Sequence, residues 1–211
     1  LRELAPHVTG DRALVSIGSL MAPSAEALAG VSAEAICAHP VFGPTVTTTA
    51  GLPVIVAPVR GTRWADWLVQ TLRSAGMLVH LTTPQAHDAR MALVQALLHS
   101  LYVALCQAFS GADLPPAQAL DWASPTLRLQ LGMIARILGQ DPELYADLVI
   151  GNPAAPAALD ALVHALQDLA TLARTGDRAG FIAAFTAARE SFDGELAELA
   201  GAAETALAHL D

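Results

Sequence analysis

Imidazole and guanidinium groups are the side chains here that could move a proton or grip an anion, and a few fall at telling positions. His39 follows Ala35-Ile36-Cys37-Ala38, a small apolar run that reads as a buried strand. Pro40 lacks an N–H and biases His39 away from helix, so strand pairing is expected to stop there, with Gly43-Pro44 turning the chain. A titratable imidazole at the carboxyl end of an α/β strand stands where ligands of such sheets bind. Arg128 and Arg136 are eight residues apart on one predicted helix, about 12 Å along it and about 80° around it. Gly132 and Ala135 lie between them and leave room for a ligand, and the forked guanidinium suits a carboxylate. His87 and His99 are twelve residues apart, a little over three helical turns, so they cannot chelate one metal together. No metal is expected. Taken singly, each histidine reads as a satisfied polar residue, Tyr145 as core, and the arginines as salt-bridge partners.

These residues need elements to hold them. Ala13–Ile17, Leu52–Pro58 and Met77–Thr82 are further strand-like runs, with Ser19 just past the first. Pro23–Leu28 reads as a short helix, and Trp64, Trp67, Leu68 and Leu72 lie at helical spacing before Gly76. Alternating strands and helices predict part of an α/β layer over residues 1–84. From Gln85 the pattern is helical to the end, residues 85–211. The first helix spans roughly 24 residues, about 36 Å, enough to bridge two domains. Its stripes are His87, Met91, Val94, Leu98, Leu101 and, beside them, Gln95, His99, Tyr102, Cys106. Helices follow over Pro125–Gly139 and from Pro142 to the Gly151-Asn152-Pro153 stop. Leu159–Leu169 and then Phe181–Leu207 repeat a three-four apolar alternation, the latter for about seven turns. Stripes of that length predict core or a dimer interface.

Composition narrows the class. The 211 residues are 54% hydrophobic but only 5% aromatic, which predicts Ala/Leu/Val cores and a helix-rich protein. A net charge of −9 leaves no basic stripe for nucleic acid. Cys37 and Cys106 sit in apolar runs without metal-ligand spacing, as buried thiols of a reducing compartment do. The apolar stretch Ala92–Phe109 is interrupted by Gln95, His99, Ser100 and Gln107, so no membrane span is expected. No signal peptide is visible, and a cytoplasmic location is expected.

His39-Pro40-Val41-Phe42-Gly43-Pro44 resembles the His-Pro-Met-Phe-Gly-Pro signature of the prephenate/arogenate dehydrogenases, the enzymes of tyrosine synthesis. The resemblance continues through Gln85-Ala86-His87-Asp88, Met91, Gln95–His99, Ser124-Pro125, Arg128, Arg136 and Gln140–Asp147, covering most of the chain. It implies a partial Rossmann-like α/β layer followed by an all-helical dimerisation domain, and a homodimer. It implies oxidative decarboxylation of prephenate or a similar cyclohexadienyl carboxylate, with NAD or NADP as hydride acceptor. His39 takes the proton-transfer role and Ser19 a hydrogen bond to that histidine or to the substrate hydroxyl. Arg136 takes the ring carboxylate, His99 and Tyr145 line the substrate, Arg128 has weaker support, and His87 orients the domain junction.

The sequence also departs from that family. Its Asp-x-x-Ser-x-Lys motif reads Ser16-Ile17-Gly18-Ser19-Leu20-Met21, which removes an acid and a cation. No G-x-G-x-x-G turn for a dinucleotide occurs in this sequence. Two explanations follow. These residues are the carboxyl-terminal part of an ordinary dehydrogenase, consistent with a start at Leu1; or they form a repurposed, cofactor-independent relative doing non-oxidative decarboxylation, dehydration, isomerisation or cyclisation. A non-catalytic, dimeric ligand-binding module is a third reading, disfavoured by the joint presence of His39, Ser19, His99 and Arg136. Prephenate, arogenate and 4-amino-4-deoxyprephenate remain alternative substrates.

Overall fold

The computed structural model describes residues 1–43 and 45–208. Pro44, and with it half of the expected Gly43-Pro44 turn, lies outside the described residues. The chain divides into two compact units: Leu1–Ala96 with Ala146–Ala155, and Leu97–Tyr145 with Pro156 onward.

The first unit is a four-stranded mixed sheet in the order β1-β2-β3-β4: β1 (Ala13–Ile17), β2 (Glu34–Pro40), β3 (Pro53–Arg60) and β4 (Leu78–Leu81). β1 runs parallel to β2, β3 antiparallel to β2, and β4 parallel to β3. Alternation sorts the side chains onto two faces. Ile36, Val54 and Val56 pack beneath α2 (Arg63–Ser74), against Ala65 and Val69. Ala35, Cys37 and Ala57 face the other way, into a core with Met21, Leu28 and Val31 from and around α1 (Ala22–Leu28). His39, two residues beyond Cys37, stands on that second face.

β2 does not stop at His39. It runs through Pro40, which pairs with Val54 while His39 pairs with Ile55. Proline removes a donor, but its φ suits an extended chain and its carbonyl still accepts, so it tolerates the end of a strand.

The long apolar helix is α3 (Pro84–Met91), a π-helical segment (Ala92–Leu97) and α4 (Leu98–Gly111), continuous over 28 residues. Thr83 caps it, its hydroxyl accepting from the Ala86 N–H. Of the expected stripe, His87 and Met91 are buried, but the π segment adds a residue to the turn, and beyond its start Ala92 and Ala96 are buried whereas Val94 and Leu98 are exposed. By length and composition alone this helix could cross a membrane, a property its interrupting polar residues had argued against.

In the second unit, Leu131 and Ile134 of α6 (Pro125–Leu138) pack with Ala119 of the short α5 (Pro116–Ala119), Tyr102, Leu105 and Phe109. Ser124 caps α6 by accepting the Leu127 N–H. α7 (Pro142–Ile150) belongs from Ala146 onward to the first unit, and α8 (Ala155–Thr175) from Pro156 to the second. The continuous stripe expected from Phe181 to Leu207 is two helices, α9 (Arg178–Glu190) and α10 (Leu196–Leu207). Asp193 and Gly194 take positive φ between them (46° and 91°), a break that an Asp-Gly pair favours. Phe181, Phe185 and Leu199 are exposed in the single chain.

Candidate active site

His39 is 4% exposed, so its imidazole must find a partner inside the protein. That partner comes from α3, which covers this face of the sheet. His39 Nδ1 lies 2.9 Å from Nε2 of His87, and His87 Nδ1 lies 2.7 Å from Oδ1 of Asp88. The two rings meet edge to face, with centroids 5.1 Å apart at 72°. Asp88 is held from two further directions: Oδ1 accepts the Met21 N–H at 2.9 Å and Oδ2 the Ala22 N–H at 2.8 Å. Those amides begin α1, so the carboxylate also faces the positive end of a helix.

Proton positions follow from the partners. Burial, the largest influence on Asp88, raises its pKa, but hydrogen bonds from His87, Met21 and Ala22 together hold it below the ordinary carboxyl value. Asp88 is therefore an anion that only accepts, and His87 must carry its proton on Nδ1. In the tautomer that leaves a lone pair on His87 Nε2, that nitrogen accepts and His39 donates from Nδ1. The Nε2 of His39 is then left as a base. Burial first, and the neighbouring His87 second, pull the His39 pKa down to about 4, with Asp88 opposing. His39 is thus unprotonated near neutrality, the state a general base needs.

A loop fastens this arrangement. Asn152, 2% exposed, donates from Nδ2 to the Asp88 carbonyl at 2.9 Å, and its Oδ1 accepts the Ala154 N–H. Gly151 permits the approach: a Cβ there would lie 2.5 Å from the Asp147 carbonyl oxygen and 2.9 Å from Leu20 Cδ1. Asp88 and Asn152 were not singled out from the sequence. Asp88 follows His87 inside a quoted motif, which was the one available signal; Asn152 read only as a helix stop.

Ser19 is half-buried and makes no side-chain hydrogen bond among the described residues; the partner of His39 Nδ1 is His87. Met21, at the position of the family lysine, is fully buried in the α1 core, and Ser16 is buried on β1 opposite Cys37. Burial first and the Asp88 charge second push the Cys37 thiol up to about 11, so it stays protonated and is no nucleophile.

The second unit holds the other candidates. His99 packs edge to face on Tyr145, centroids 4.7 Å apart, and burial lowers its pKa. Its Nδ1 is buried without a hydrogen-bond partner among the described residues. Arg128 donates to the Leu120 carbonyl at 3.3 Å and borders an apolar groove of about 620 Å³ beside Gly132 and Ala135. The Arg136 guanidinium is exposed and has no hydrogen-bond or ionic partner among the described residues. His39, His87 and Ser19 thus belong to the first unit, and His99, Arg128, Arg136 and Tyr145 to the second.

A dinucleotide needs a glycine-rich strand-to-helix turn whose N–H groups face the pyrophosphate. The first strand-to-helix turn among the described residues, from β1 to α1, is Gly18-Ser19-Leu20-Met21, which lacks the glycine spacing, and Asp88 accepts from the Met21 and Ala22 amides at its end. The described residues do not form a pyrophosphate cradle. Nor do they contain a cluster of three or more His, Cys, Asp or Glu able to hold a metal.

Comparison with known proteins bears on family and fold. Residues 83–187 match the family model described as "Prephenate dehydrogenase, dimerization domain". The T-protein of Haemophilus influenzae is 30% identical over 193 residues, 91% of this chain and 51% of its own length. The 4-amino-4-deoxyprephenate dehydrogenase of Streptomyces pristinaespiralis is 30% identical over 156 residues, 74% of this chain and 52% of its own. The chain therefore spans about half the length of the curated relatives it matches. In fold it is similar to the Synechocystis arogenate dehydrogenase (TM-score 0.75, 21% identity, 91% of this chain and 72% of that one). It is also similar to the Aquifex aeolicus prephenate dehydrogenase solved with hydroxyphenyl propionate and NAD+ (TM-score 0.70, 16% identity, 91% and 70%). With motif, fold and relatives in agreement, the chain belongs to the prephenate/arogenate dehydrogenase family.

Proposed function

We propose that this chain carries the proton-accepting and substrate-holding machinery of an oxidative decarboxylase acting on prephenate or a close cyclohexadienyl relative. The observation that carries the reading is the hydrogen-bonded series Asp88–His87–His39; the tautomer inferred from it leaves a lone pair on His39 Nε2. His39 accepts the ring hydroxyl proton while the series holds its tautomer and disperses the charge it gains. Arg136, unpaired among the described residues and forked, takes a carboxylate of the substrate, and the His99–Tyr145 pair supplies an aromatic wall whose His99 Nδ1 can hydrogen-bond it. In this reading Ser19 hydrogen-bonds the same hydroxyl.

The overall change also needs a hydride acceptor. NAD or NADP fills that role in this reading only where chain beyond the described residues provides the cradle. A homodimer built through the helical residues 85–211 is supported by the matched dimerisation domain and by the exposed Phe181, Phe185 and Leu199. Residues 1–84 then act as the α/β segment presenting His39, and the location is cytoplasmic, like that of other biosynthetic enzymes.

The test follows reduced-nicotinamide absorbance and released carbon dioxide with prephenate, arogenate and 4-amino-4-deoxyprephenate, using the polypeptide as the gene encodes it. Turnover should require NAD(P)+ and fall by about 10²–10⁴-fold in His39→Asn. Substrate loss without NAD(P)+ would overturn the oxidative reading in favour of a redox-neutral reaction. Binding without turnover in either condition would make the chain a ligand-binding module.

A further inference from the structure

Behind His87 lies a space that none of these roles uses. It is a cavity of about 230 Å³ bounded by Ile55, His80, Thr82, His87, Arg90 and Met91. Strand register creates it. Ile55 pairs with His39 on one side and His80 on the other, so the three side chains stand in one row on the face that carries His39. Each step in that row is one strand spacing, about 4.8 Å. Arg90 follows His87 by three residues on α3, which brings it to the same side of the helix.

The lining is cationic and lacks any carboxylate, in a chain of net charge −9. Neither the Arg90 guanidinium, the His80 ring nor the Thr82 hydroxyl has a side-chain partner among the described residues. A forked guanidinium, an imidazole N–H and a hydroxyl around a small cavity form a donor set for an oxyanion. The volume admits a phosphate or a small carboxylate and excludes a nucleotide.

We propose that this cavity binds a small oxyanion, held by Arg90, His80 and Thr82 against the His87 ring. An occupied site places negative charge beside His87 and favours a proton on the His39–His87 pair. The groups surrounding that pair are Asp88 and Arg90 on α3, His80 on β4 and the Cys37 thiol on β2, so the anion would add to the pull of Asp88. Binding itself does not depend on the catalytic reading; only its effect on His39 rests on it.

Sodium phosphate and sodium acetate, titrated separately at constant ionic strength, would be followed by the histidine ring resonances of the protein. Saturable shifts of His80 and His87 are expected, weakened about tenfold or more in Arg90→Gln and His80→Gln. Saturation by phosphate alone identifies a tetrahedral anion, and by acetate alone a planar carboxylate. The His39 titration should move upward when the site is filled, and His39→Gln should retain anion binding. That control separates failure of this site from failure of the catalytic assignment. Thr82→Val gives a second measure should either cationic variant fold poorly by circular dichroism. Linear, non-saturating shifts for both anions, or unchanged binding in Arg90→Gln and Thr82→Val, would overturn the proposal.

Discussion

His39 and His87, forty-eight residues apart, share one buried hydrogen bond of 2.9 Å, and its direction is set from beyond the pair by Asp88. A carboxylate that cannot donate fixes the proton on one side of His87, and His87 in turn fixes it on His39. The reactive nitrogen is chosen by a residue that need never touch the substrate. The family resemblance had placed His87 at a domain junction; the structure pairs it directly with His39.

Asp88→Asn should therefore harm both folding and catalysis. The amide removes the charge that α1 and His87 both rely on, and its NH₂ can force His87 into the wrong tautomer. Urea unfolding should show a loss of about 2–4 kcal/mol. Any residual turnover should have a shifted pH profile, whereas a purely structural role would leave the profile of the folded fraction unchanged.

Acid should weaken the fold before carboxylates titrate. The folded His39 pKa, about 4, lies below the ordinary imidazole value of 6.5. Between those values the unfolded chain binds the extra proton, so the contribution of His39 is full above about pH 6.5 and is lost as pH falls toward 4. The amount is about 3 kcal/mol, from roughly 1.4 kcal/mol per pKa unit. Asp88 adds a second loss at lower pH, as the pH falls below 3.8 through its depressed value. Equilibrium unfolding from pH 7.5 to 4 checks this, and His39→Gln should flatten the upper part of the curve.

Met21→Lys, which restores the family residue, should destabilise this chain. Met21 is fully buried among Leu28, Val31 and Cys37, and an ammonium placed there must lose its hydration or its proton. A fall in midpoint corresponding to about 2–5 kcal/mol is expected. A neutral or stabilised variant would show that the site has solvent or an anion within reach.

Gly151→Ala tests the loop clamp. The added methyl meets the Asp147 carbonyl and Leu20, so either the loop or Leu20 must shift. A cost of about 1–3 kcal/mol is expected, together with faster hydrogen exchange at the Met21 and Ala22 amides as Asn152 loosens its hold on Asp88.

Arg136→Lys should spare stability, since the guanidinium is exposed and unpaired, and should raise KM for a carboxylate substrate by about tenfold or more. Parallel thermal melts and steady-state kinetics separate the two effects. A lower melting temperature with unchanged KM would mark the residue as structural.

Much of this architecture was legible in the residues themselves. Apolar alternation located β1, and the spacing of Trp64 to Leu72 located α2. The capping serine and final glycine bracketed α6, because such signals act within a few residues of the backbone they shape. The His-Pro pair placed an imidazole near a strand end, although β2 continues one residue past it. Local periodicity could not register the π turn at Ala92–Leu97, since one inserted residue rotates every side chain beyond it, nor the break at Asp193-Gly194 within an apolar stripe.

Tertiary packing decided the chemistry. Which face of the sheet α3 covers determines whether His87 meets His39, and the return of residues 146–155 to the first unit brings Asn152 to Asp88. These partners are 48 and 64 residues apart, and hydrogen bonds at such separations leave no periodic trace in a chain. The residue types showed which groups could accept a proton. Only the fold, by burying them together, determined which one is left free to do so.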